Sequence, residues 1–383
     1  EMVIRDWSSD VCSSDLLDAA TEVGVVVENT PFGNITSAAE HALALMMALA
    51  RKVPSADGKM KAGVWAKKEN TGVEMDGKTM GIVGLGKVGA IVARVARALN
   101  MKVVVFDPFL TDKRASDLGV EKAELDDLLA KADFISLHTP LTDKTRNMID
   151  KTAFEKMKKG ARLINAARGG IVDEQALADA LASGKLAGAA VDVFSEEPYP
   201  GGPLTTAPNI ILTPHLGAST SEAQVKVAEQ IAEQFVAFFN EGRILNAANL
   251  SIALDPTLAP FADLASSVGK LIAQLADSPV EQLTVGCYGK IAEKNTRQVA
   301  LFALQGLLAV GCDSPVTLVN AERIAANGGL TLVEQSSEAR RNFVSVVTLT
   351  AKTATGDVTA SCTLFDGSIP KIVEIQGFDV DFR

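Results

Sequence analysis

Short apolar runs alternate with segments of helical periodicity through the middle of the chain. Apolar runs of about four to eight residues, bounded by glycine, proline or polar residues, are typical of buried parallel strands. The runs here are Met80–Val83, Lys102–Phe106, Asp133–His138, Ala161–Asn165, Ala187–Phe194 and Asn209–Thr213. Helical spacing separates them, as at Leu125–Ala130 and Asp173–Ser183. The alternation predicts an α/β fold with a doubly wound parallel sheet.

The residues before this region predict one strand and one helix. Val23–Val27 is an apolar run that predicts a buried strand. Ser37 is the predicted N-cap of a helix that ends at Ala50, with Glu40 at the capping-box position. This helix is apolar on nearly every side, which predicts burial between domains or between subunits. We therefore expect a homodimer or homotetramer.

The pattern changes after residue 246. A long amphipathic helix is expected at Ser219–Glu241, followed by helical stretches mixed with alternating strands. Phe343–Ala351 and Val358–Phe365 flank Thr355-Gly356-Asp357 and predict a hairpin, and Lys371–Ile375 predicts a further strand. These residues predict a separate α+β domain.

A glycine-rich turn follows the first strand of the predicted sheet. Gly84, Gly86 and Gly89 form G-x-G-x-x-G between that strand and a helix. In dinucleotide sites these glycines permit a tight turn, close approach to the pyrophosphate and close helix packing. Asp107 ends the next strand, where a carboxylate accepts hydrogen bonds from ribose hydroxyls and repels a 2′-phosphate. The motif predicts NAD, rather than NADP, as cofactor.

Polar residues fall where several predicted strands end, which is where such sheets bind ligands. They include Thr139, Arg168, Glu197 and His215. A guanidinium can grip a carboxylate through two parallel hydrogen bonds, and a histidine can shuttle a proton near neutral pH. From position alone, Glu197 either orients the His215 imidazole or belongs to a solvated acidic turn.

Asp192 is a charged residue inside the apolar run Val191-Asp192-Val193. A buried carboxylate is costly unless another group pairs with it. A cofactor contact at the end of the strand is the simplest explanation of this position.

Composition narrows the class of partner. The chain has 383 residues, is 47% hydrophobic and 22% charged, and carries a net charge of −10. With no long basic run, this balance argues against nucleic acid and membrane surfaces as partners. The four cysteines are scattered without metal-ligand spacing. We expect reduced thiols, no metal, and a cytoplasmic location.

Four separated blocks carry a family resemblance. GLGKVG, INAARGGIVDEQAL, AAVDVFSEEP and TPHLGAST occur in this order and spacing. The set resembles the NAD-dependent D-isomer-specific 2-hydroxyacid dehydrogenases, over roughly residues 17–383. The resemblance implies that Arg168, Glu197 and His215 are catalytic. It assigns substrate binding to the arginine, orientation of the imidazole to the glutamate, and transfer of the C2 hydroxyl proton to the histidine. The expected substrate is a small phosphorylated 2-hydroxy acid.

The resemblance also implies a set of NAD contacts, of which the contact at Ala166 is expected through backbone. The contacts are Gly84, Gly86, Lys87, Val88, Gly89, Asp107, Thr139, Pro140, Ala166, Arg168, Asp192, His215, Gly217 and Ala218.

The resemblance suggests a division of the chain into domains. The expected parts are a foreign or disordered leader at 1–16, a substrate-domain fragment at 17–31, an NAD-binding Rossmann domain at 32–214, a return helix to the substrate domain at 215–246, and an intervening α+β regulatory domain at 247–383. Residues 1–16 lack the glycine-rich substrate loop of the family, and no terminal regulatory domain follows residue 383. We therefore expect a chain truncated at both ends that binds NADH but turns over substrate poorly or not at all.

Two alternatives stay open. One is another dehydrogenase of the same family, such as a glyoxylate or hydroxypyruvate reductase, although those usually lack a long C-terminal extension. The other is a non-catalytic NAD-sensing corepressor of the same fold. Some corepressors retain the triad, so only a turnover assay separates the classes.

Overall fold

The structure, a computed structural model, describes residues 14–250, 252, 254–312, 314–339 and 342–382. Most of the predicted leader, 1–13, lies outside the described residues, and helix α1 spans Ser14–Glu22. The chain divides into two compact units: Pro31–Glu229, and Gln230–Arg383 together with the residues up to Thr30. We call them the parallel-sheet unit and the mixed-sheet unit. The domain boundaries expected from sequence stay a prediction.

The parallel-sheet unit alternates helices and strands as the sequence predicts. Its helices are α2 Ile35–Arg51, α3 Val53–Lys61, α4 Lys87–Ala98, α5 Asp112–Leu118, α6 Leu125–Lys131, α7 Lys151–Lys156, α8 Glu174–Ala182 and the first part of α9 Ser221–Glu241. Its strands are β1 Thr79–Val83, β2 Lys102–Phe106, β3 Glu121–Lys122, β4 Phe134–Leu137, β5 Ala161–Asn165, β6 Leu186–Val191 and β7 Ile210–Leu212. A 3-10 turn spans Pro203–Thr206.

The seven strands form one sheet in the order β3-β2-β1-β4-β5-β6-β7. Every strand pair in it is parallel. The chain order reverses between β1 and β4, so the crevice at their carboxyl ends is the switch point where such sheets bind ligands. Buried apolar residues form separate cores on the two faces of the sheet. The predicted doubly wound α/β fold is confirmed.

Helix α2 is longer than predicted, and its start is different. Asn34, not Ser37, precedes the first helical turn. The Ser37 hydroxyl lies inside the helix, 2.7 Å from the hydroxyl of Thr220. The predicted cap was therefore wrong, because a tertiary partner engages this side chain instead of a helix N–H. One face of α2 packs on α4, β5 and β6 within the same chain, so part of its apolar surface needs no second subunit.

The mixed-sheet unit contains α1, the end of α9, and the elements that follow. These are α10 Ala259–Leu275, α11 Arg297–Leu308, α12 Ala321–Asn327, β8 Val280–Gly289, β9 Thr331–Ser337, β10 Ser345–Thr353, β11 Gly356–Phe365, β12 Ile369–Ile375 and β13 Phe378–Phe382, with 3-10 turns at Pro256–Leu258 and Lys290–Glu293. The sheet order is β13-β12-β11-β10-β8-β9, antiparallel except for β8 with β9. Apolar residues of α10 and α11 share one core with the sheet. The predicted α+β character and the β10–β11 hairpin are confirmed.

The predicted strand at Val23–Val27 was wrong. Val23 is 65% exposed, and Val27 is the buried residue of the run. The described chain makes a single bridge here, between Glu28 and Ala247. The side chain of Asn249 bonds the backbone at Val25 and Val27, taking the place that a neighbouring strand would fill. An apolar run becomes a strand only where a partner strand pairs with its backbone.

Within the described residues, no helix combines the length and the apolar character that crossing a bilayer requires.

Candidate active site

The glycine-rich turn has the geometry of a dinucleotide loop. Gly84 has φ of +95°, and a Cβ there would lie 2.7 Å from the carbonyl oxygen of His138. A Cβ on Gly89 would lie 2.2 Å from the carbonyl oxygen of Gly84. Gly86 precedes α4, and a Cβ there would meet no atom within 4 Å. Two glycines are thus required by the protein, while the space beside the third suits a pyrophosphate at a helix N-terminus.

Asp107 is held in place beside this turn. Its Oδ2 accepts a hydrogen bond of 2.7 Å from the Leu85 amide, and its Oδ1 accepts one of 2.8 Å from the Phe109 amide. Each carboxylate oxygen has a second lone pair, so both can still accept from ribose hydroxyls. Arg114 donates to the Leu85 carbonyl over 3.2 Å. The turn therefore lies between an anchored anion and a cation.

The residues after β4 contain a buried hydroxyl without a partner. Thr139 Oγ1 is inaccessible to water and makes no hydrogen bond within the described chain. Such atoms are rare in folded proteins, and a bound ligand is one way to satisfy them. The preceding residue, His138, contacts the Ser136 hydroxyl over 2.9 Å, and burial lowers the pKa of His138 to about 4. Thr139 and the open space at Gly86 both fit the NAD site predicted from sequence.

Arg168 lies in a tight loop after β5. A Cβ on Gly169 would lie 1.7 Å from the carbonyl oxygen of Phe194, so this loop packs directly on the backbone that follows β6. The Asn165 side chain bonds the Ala167 amide and the Arg168 carbonyl. The guanidinium is exposed and donates to the Ala167 carbonyl over 2.6 Å. A rigid backbone thus holds an accessible cation at the edge of the sheet where the strands end and where such sheets bind ligands.

Glu197 and His215 form a close pair. His215 Nδ1 lies 2.5 Å from Glu197 Oε2, and both side chains are mostly buried. Glu197 Oε1 also accepts from the Phe194 amide over 2.8 Å. The structure therefore favours the orienting interpretation of Glu197 over a solvated acidic turn. The carboxylate fixes Nδ1, which leaves Nε2 as the nitrogen suited to exchange a proton with a substrate.

Asp192 is fully buried and hydrogen-bonded by the protein itself. Its Oδ1 accepts from the Thr213 hydroxyl and the Leu216 amide, and its Oδ2 accepts from the Gly217 amide. His41 Nε2 lies 3.0 Å from Oδ1. Burial acts to raise the pKa of Asp192, but hydrogen bonds from His41, Thr213 and Leu216 outweigh it and hold the pKa below its usual value. The buried charge therefore needs no cofactor to offset it, and the expected NAD contact stays a prediction.

Sequence reasoning missed His41. Its signal was present, because a buried aspartate demands a partner and the chain has only three histidines. The pairing joins residues 151 positions apart, which no local pattern reveals. The other predicted cofactor contacts lie near the same edge: Lys87 and Val88 in the first turn of α4, Pro140 after β4, Ala166 after β5, and Gly217 and Ala218 after β7.

Comparison with known proteins agrees with this geometry. Residues 43–217 match the NAD-binding domain of the D-isomer specific 2-hydroxyacid dehydrogenases, and residues 257–376 match the D-3-phosphoglycerate dehydrogenase intervening domain. The chain is 40% identical to D-3-phosphoglycerate dehydrogenase of Archaeoglobus fulgidus over 371 residues and 40% identical to that of Bacillus subtilis over 369 residues. It is 42% identical to that of Mycobacterium bovis over 370 residues. Each match covers 96% of this chain and 70% of the relative.

Solved structures show the same architecture. A glyoxylate reductase from Paecilomyes thermophila superposes with a TM-score of 0.57 at 34% identity, over 61% of this chain and 70% of that one. D-lactate dehydrogenase from Lactobacillus jensenii, solved with NAD+, gives a TM-score of 0.55 at 30% identity, over 62% of this chain and 76% of that one. The fold and the site define a D-isomer-specific 2-hydroxyacid dehydrogenase. Within that class, the chain belongs to the D-3-phosphoglycerate dehydrogenase family. The predicted fold class, family and cofactor are thereby confirmed.

Proposed function

We propose that this protein oxidises D-3-phosphoglycerate to 3-phosphohydroxypyruvate with NAD, the first step of the phosphorylated route to L-serine. The observation that carries the proposal is the Glu197–His215 pair, with its 2.5 Å contact, on the same sheet as the glycine-rich turn. The relatives named above supply the substrate. The match to the intervening domain favours this reaction over glyoxylate reduction.

In the proposed mechanism His215 is the general base. Neutral Nε2 takes the proton of the C2 hydroxyl while the C2–H bond breaks. Gly84, Gly86 and Asp107 would hold NAD, which would supply the acceptor for the hydride that leaves C2. Glu197 holds Nδ1–H and stabilises the imidazolium that forms. Arg168 binds the substrate carboxylate and stabilises charge on the developing carbonyl. The substrate loses a hydride and a proton, and His215 later returns the proton to solvent.

A turnover assay tests this function. Purified full-length protein is mixed with NADH and 3-phosphohydroxypyruvate, and NADH consumption is compared with that for glyoxylate and hydroxypyruvate. We expect the highest kcat/KM with 3-phosphohydroxypyruvate. Preference for glyoxylate would favour the reductase alternative, while NADH binding without turnover of any of them would favour a corepressor-like role.

The proposal includes a homodimer or homotetramer. Part of the surface of α2, α3 and the segment after α3 is apolar and exposed. The residues are Met47, Val53, Met60, Val64 and Trp65, with Trp65 79% exposed. Exposed apolar side chains on this scale are typical of an interface, and a second copy of the chain is the proposed partner. Light scattering tests this: we expect at least a dimer, and Trp65→Glu should shift it towards monomer.

A reducing, cytoplasmic setting is also part of the proposal. Cys287, Cys312 and Cys362 are free thiols, and burial raises the pKa of Cys287 to about 12. A buried thiol that stays protonated is a poor nucleophile. Thiol labelling of unfolded protein purified without reductant should therefore find Cys287 and Cys362, the two buried cysteines, reduced.

A further inference from the structure

His215 lies in a turn that a buried carboxylate holds in place. This residue has φ of +55°, a left-handed conformation that side-chain-bearing residues rarely adopt. Asp192 holds the turn at three points: its carbonyl accepts from the His215 amide over 2.9 Å, and its carboxylate accepts from the Leu216 and Gly217 amides over 2.8 and 2.9 Å. The orientation of one buried carboxylate thus sets the backbone beneath the imidazole.

His41 is the basic side chain that pairs with this carboxylate in the described chain. Its Nε2 lies 3.0 Å from Asp192 Oδ1 and 3.2 Å from the Thr213 hydroxyl. Because Asp192 is 0% exposed, water cannot replace a lost partner, and a buried carboxylate without its basic partner is driven to protonate or reorient. His41 sits on α2, far along the chain from the turn, and packs with the parallel-sheet unit.

We propose that His41 is a positioning residue for the dehydrogenase reaction. It fixes the Asp192 carboxylate, which fixes the turn from His215 to Gly217 and so aims the His215 imidazole. His41 itself transfers no proton to substrate. This inference rests on the proposed function for its kinetic consequence, but its structural part does not.

The chain contains three histidines, which makes nitrogen-15 labelling of histidine a direct test. The short contact between His215 Nδ1 and Glu197 predicts a far-downfield Nδ1 proton signal, assigned through its loss in His215→Ala. His41→Leu removes the pairing nitrogen at similar volume. We expect it to shift or broaden the His215 signal. His41→Gln restores a donor and should bring the signal back. Glu40→Gln, on the exposed face of the same helix, is the control and should leave it unchanged.

Steady-state kinetics are the second test of the role of His41. His41→Leu should lower kcat by about 10-fold or more and by a larger factor than it raises KM for NADH, because misplacing the catalytic imidazole acts first on turnover. His41→Gln should recover most of the loss. An unchanged His215 signal and unchanged kcat in His41→Leu would overturn the proposal. Lost stability with an unchanged His215 signal would also overturn it, since that result describes a purely structural residue.

Failure of the proposed function and failure of the role of His41 give different results. If full-length wild-type protein binds NADH but turns over none of the substrates, the proposed function fails, and the histidine signals still decide the role of His41. If His41→Leu does not fold, Thr213→Val is the substitute, since it removes a hydroxyl that donates to the same carboxylate over 2.5 Å. That variant should move the His215 signal in the same direction, and an unchanged signal would count against the proposal.

Discussion

The Nδ1 atom of His215 lies 2.5 Å from Oε2 of Glu197, although the two residues follow different strands of the sheet. The second oxygen of the same carboxylate accepts from the Phe194 amide, so the glutamate cannot rotate away without losing two hydrogen bonds. The pair therefore holds the imidazole in one tautomer, with the proton on Nδ1 and the lone pair on Nε2. A general base requires that tautomer.

Removing the imidazole should abolish most turnover. His215→Ala is expected to lower kcat by about 10² or more, the usual scale of general acid–base catalysis, with NADH affinity nearly intact. Glu197→Gln keeps the shape of the side chain but loses the charge that stabilises the imidazolium, so it should also lower kcat. Steady-state kinetics and NADH fluorescence titration check both. Turnover near wild type in His215→Ala would remove this residue from the mechanism.

Arg168 should not tolerate exchange for lysine. Arg168→Lys preserves the charge and the exposed position after β5, but an ammonium cannot form two parallel hydrogen bonds to a carboxylate. We expect kcat/KM for the substrate to fall by about 10-fold or more, since bidentate pairs exceed single hydrogen bonds in strength. Lys185→Arg, at the residue just before β6, is a control that exchanges the same two side-chain types away from the expected substrate site. Equal kinetics for Arg168→Lys and wild type would contradict the substrate-binding role.

The cofactor preference should depend on Asp107. Wild-type protein is expected to prefer NADH over NADPH, because the anchored carboxylate would face the 2′-phosphate. Asp107→Ala removes that repulsion, and the nearby Arg114 guanidinium, which bonds the Leu85 carbonyl, remains as a cation. The ratio of the Kd for NADPH to the Kd for NADH should fall by about 10-fold or more, because the substitution removes a repulsion between like charges. Equal affinity of the wild type for both cofactors would refute this interpretation.

Substitutions at two glycines of the turn should affect stability and NADH binding separately. Gly89→Ala places a Cβ 2.2 Å from the Gly84 carbonyl oxygen, so it should lower the free energy of unfolding by about 1–3 kcal/mol. Gly86→Ala meets no protein atom within 4 Å, so its melting temperature should match wild type while NADH affinity falls. Thermal denaturation and NADH titration test the pair. Unimpaired NADH binding by Gly86→Ala would show that no pyrophosphate occupies that space.

Stability should fall in mild acid because of His138. Burial lowers its pKa from 6.5 to about 4, so the unfolded chain binds more protons than the folded chain between these values. The contribution is complete above pH 6.5, is lost as the pH falls towards 4, and amounts to about 3 kcal/mol. His138→Gln, which cannot titrate, should flatten the dependence in that window. Denaturant unfolding at several pH values measures it, and parallel curves for the two proteins would contradict the assignment.

The sequence by itself determined the architecture of the parallel-sheet unit. The apolar runs at Lys102–Phe106 and Ala161–Asn165 have the bounds of β2 and β5. Buried parallel strands give continuous apolar runs because both of their faces are covered by apolar residues. The placement of Gly84 and Gly86 at the end of β1 follows from the same local logic, since glycine is required where backbone and ligand approach closely. Short or polar elements, such as α3 and β13, have no such signal and were missed.

Only the tertiary structure decided how distant residues pair. Ser37 looks like a helix cap in sequence, but its hydroxyl meets Thr220. Asp192 is expected from sequence to contact the cofactor, which stays a prediction, and the structure adds that His41 and the turn that carries His215 bond its carboxylate. Local propensity and periodicity indicate which face of a segment packs against the core. The hydrogen-bond partner of a buried polar side chain is instead whichever group the fold brings within reach. That choice is made in three dimensions, across residues that the chain keeps far apart.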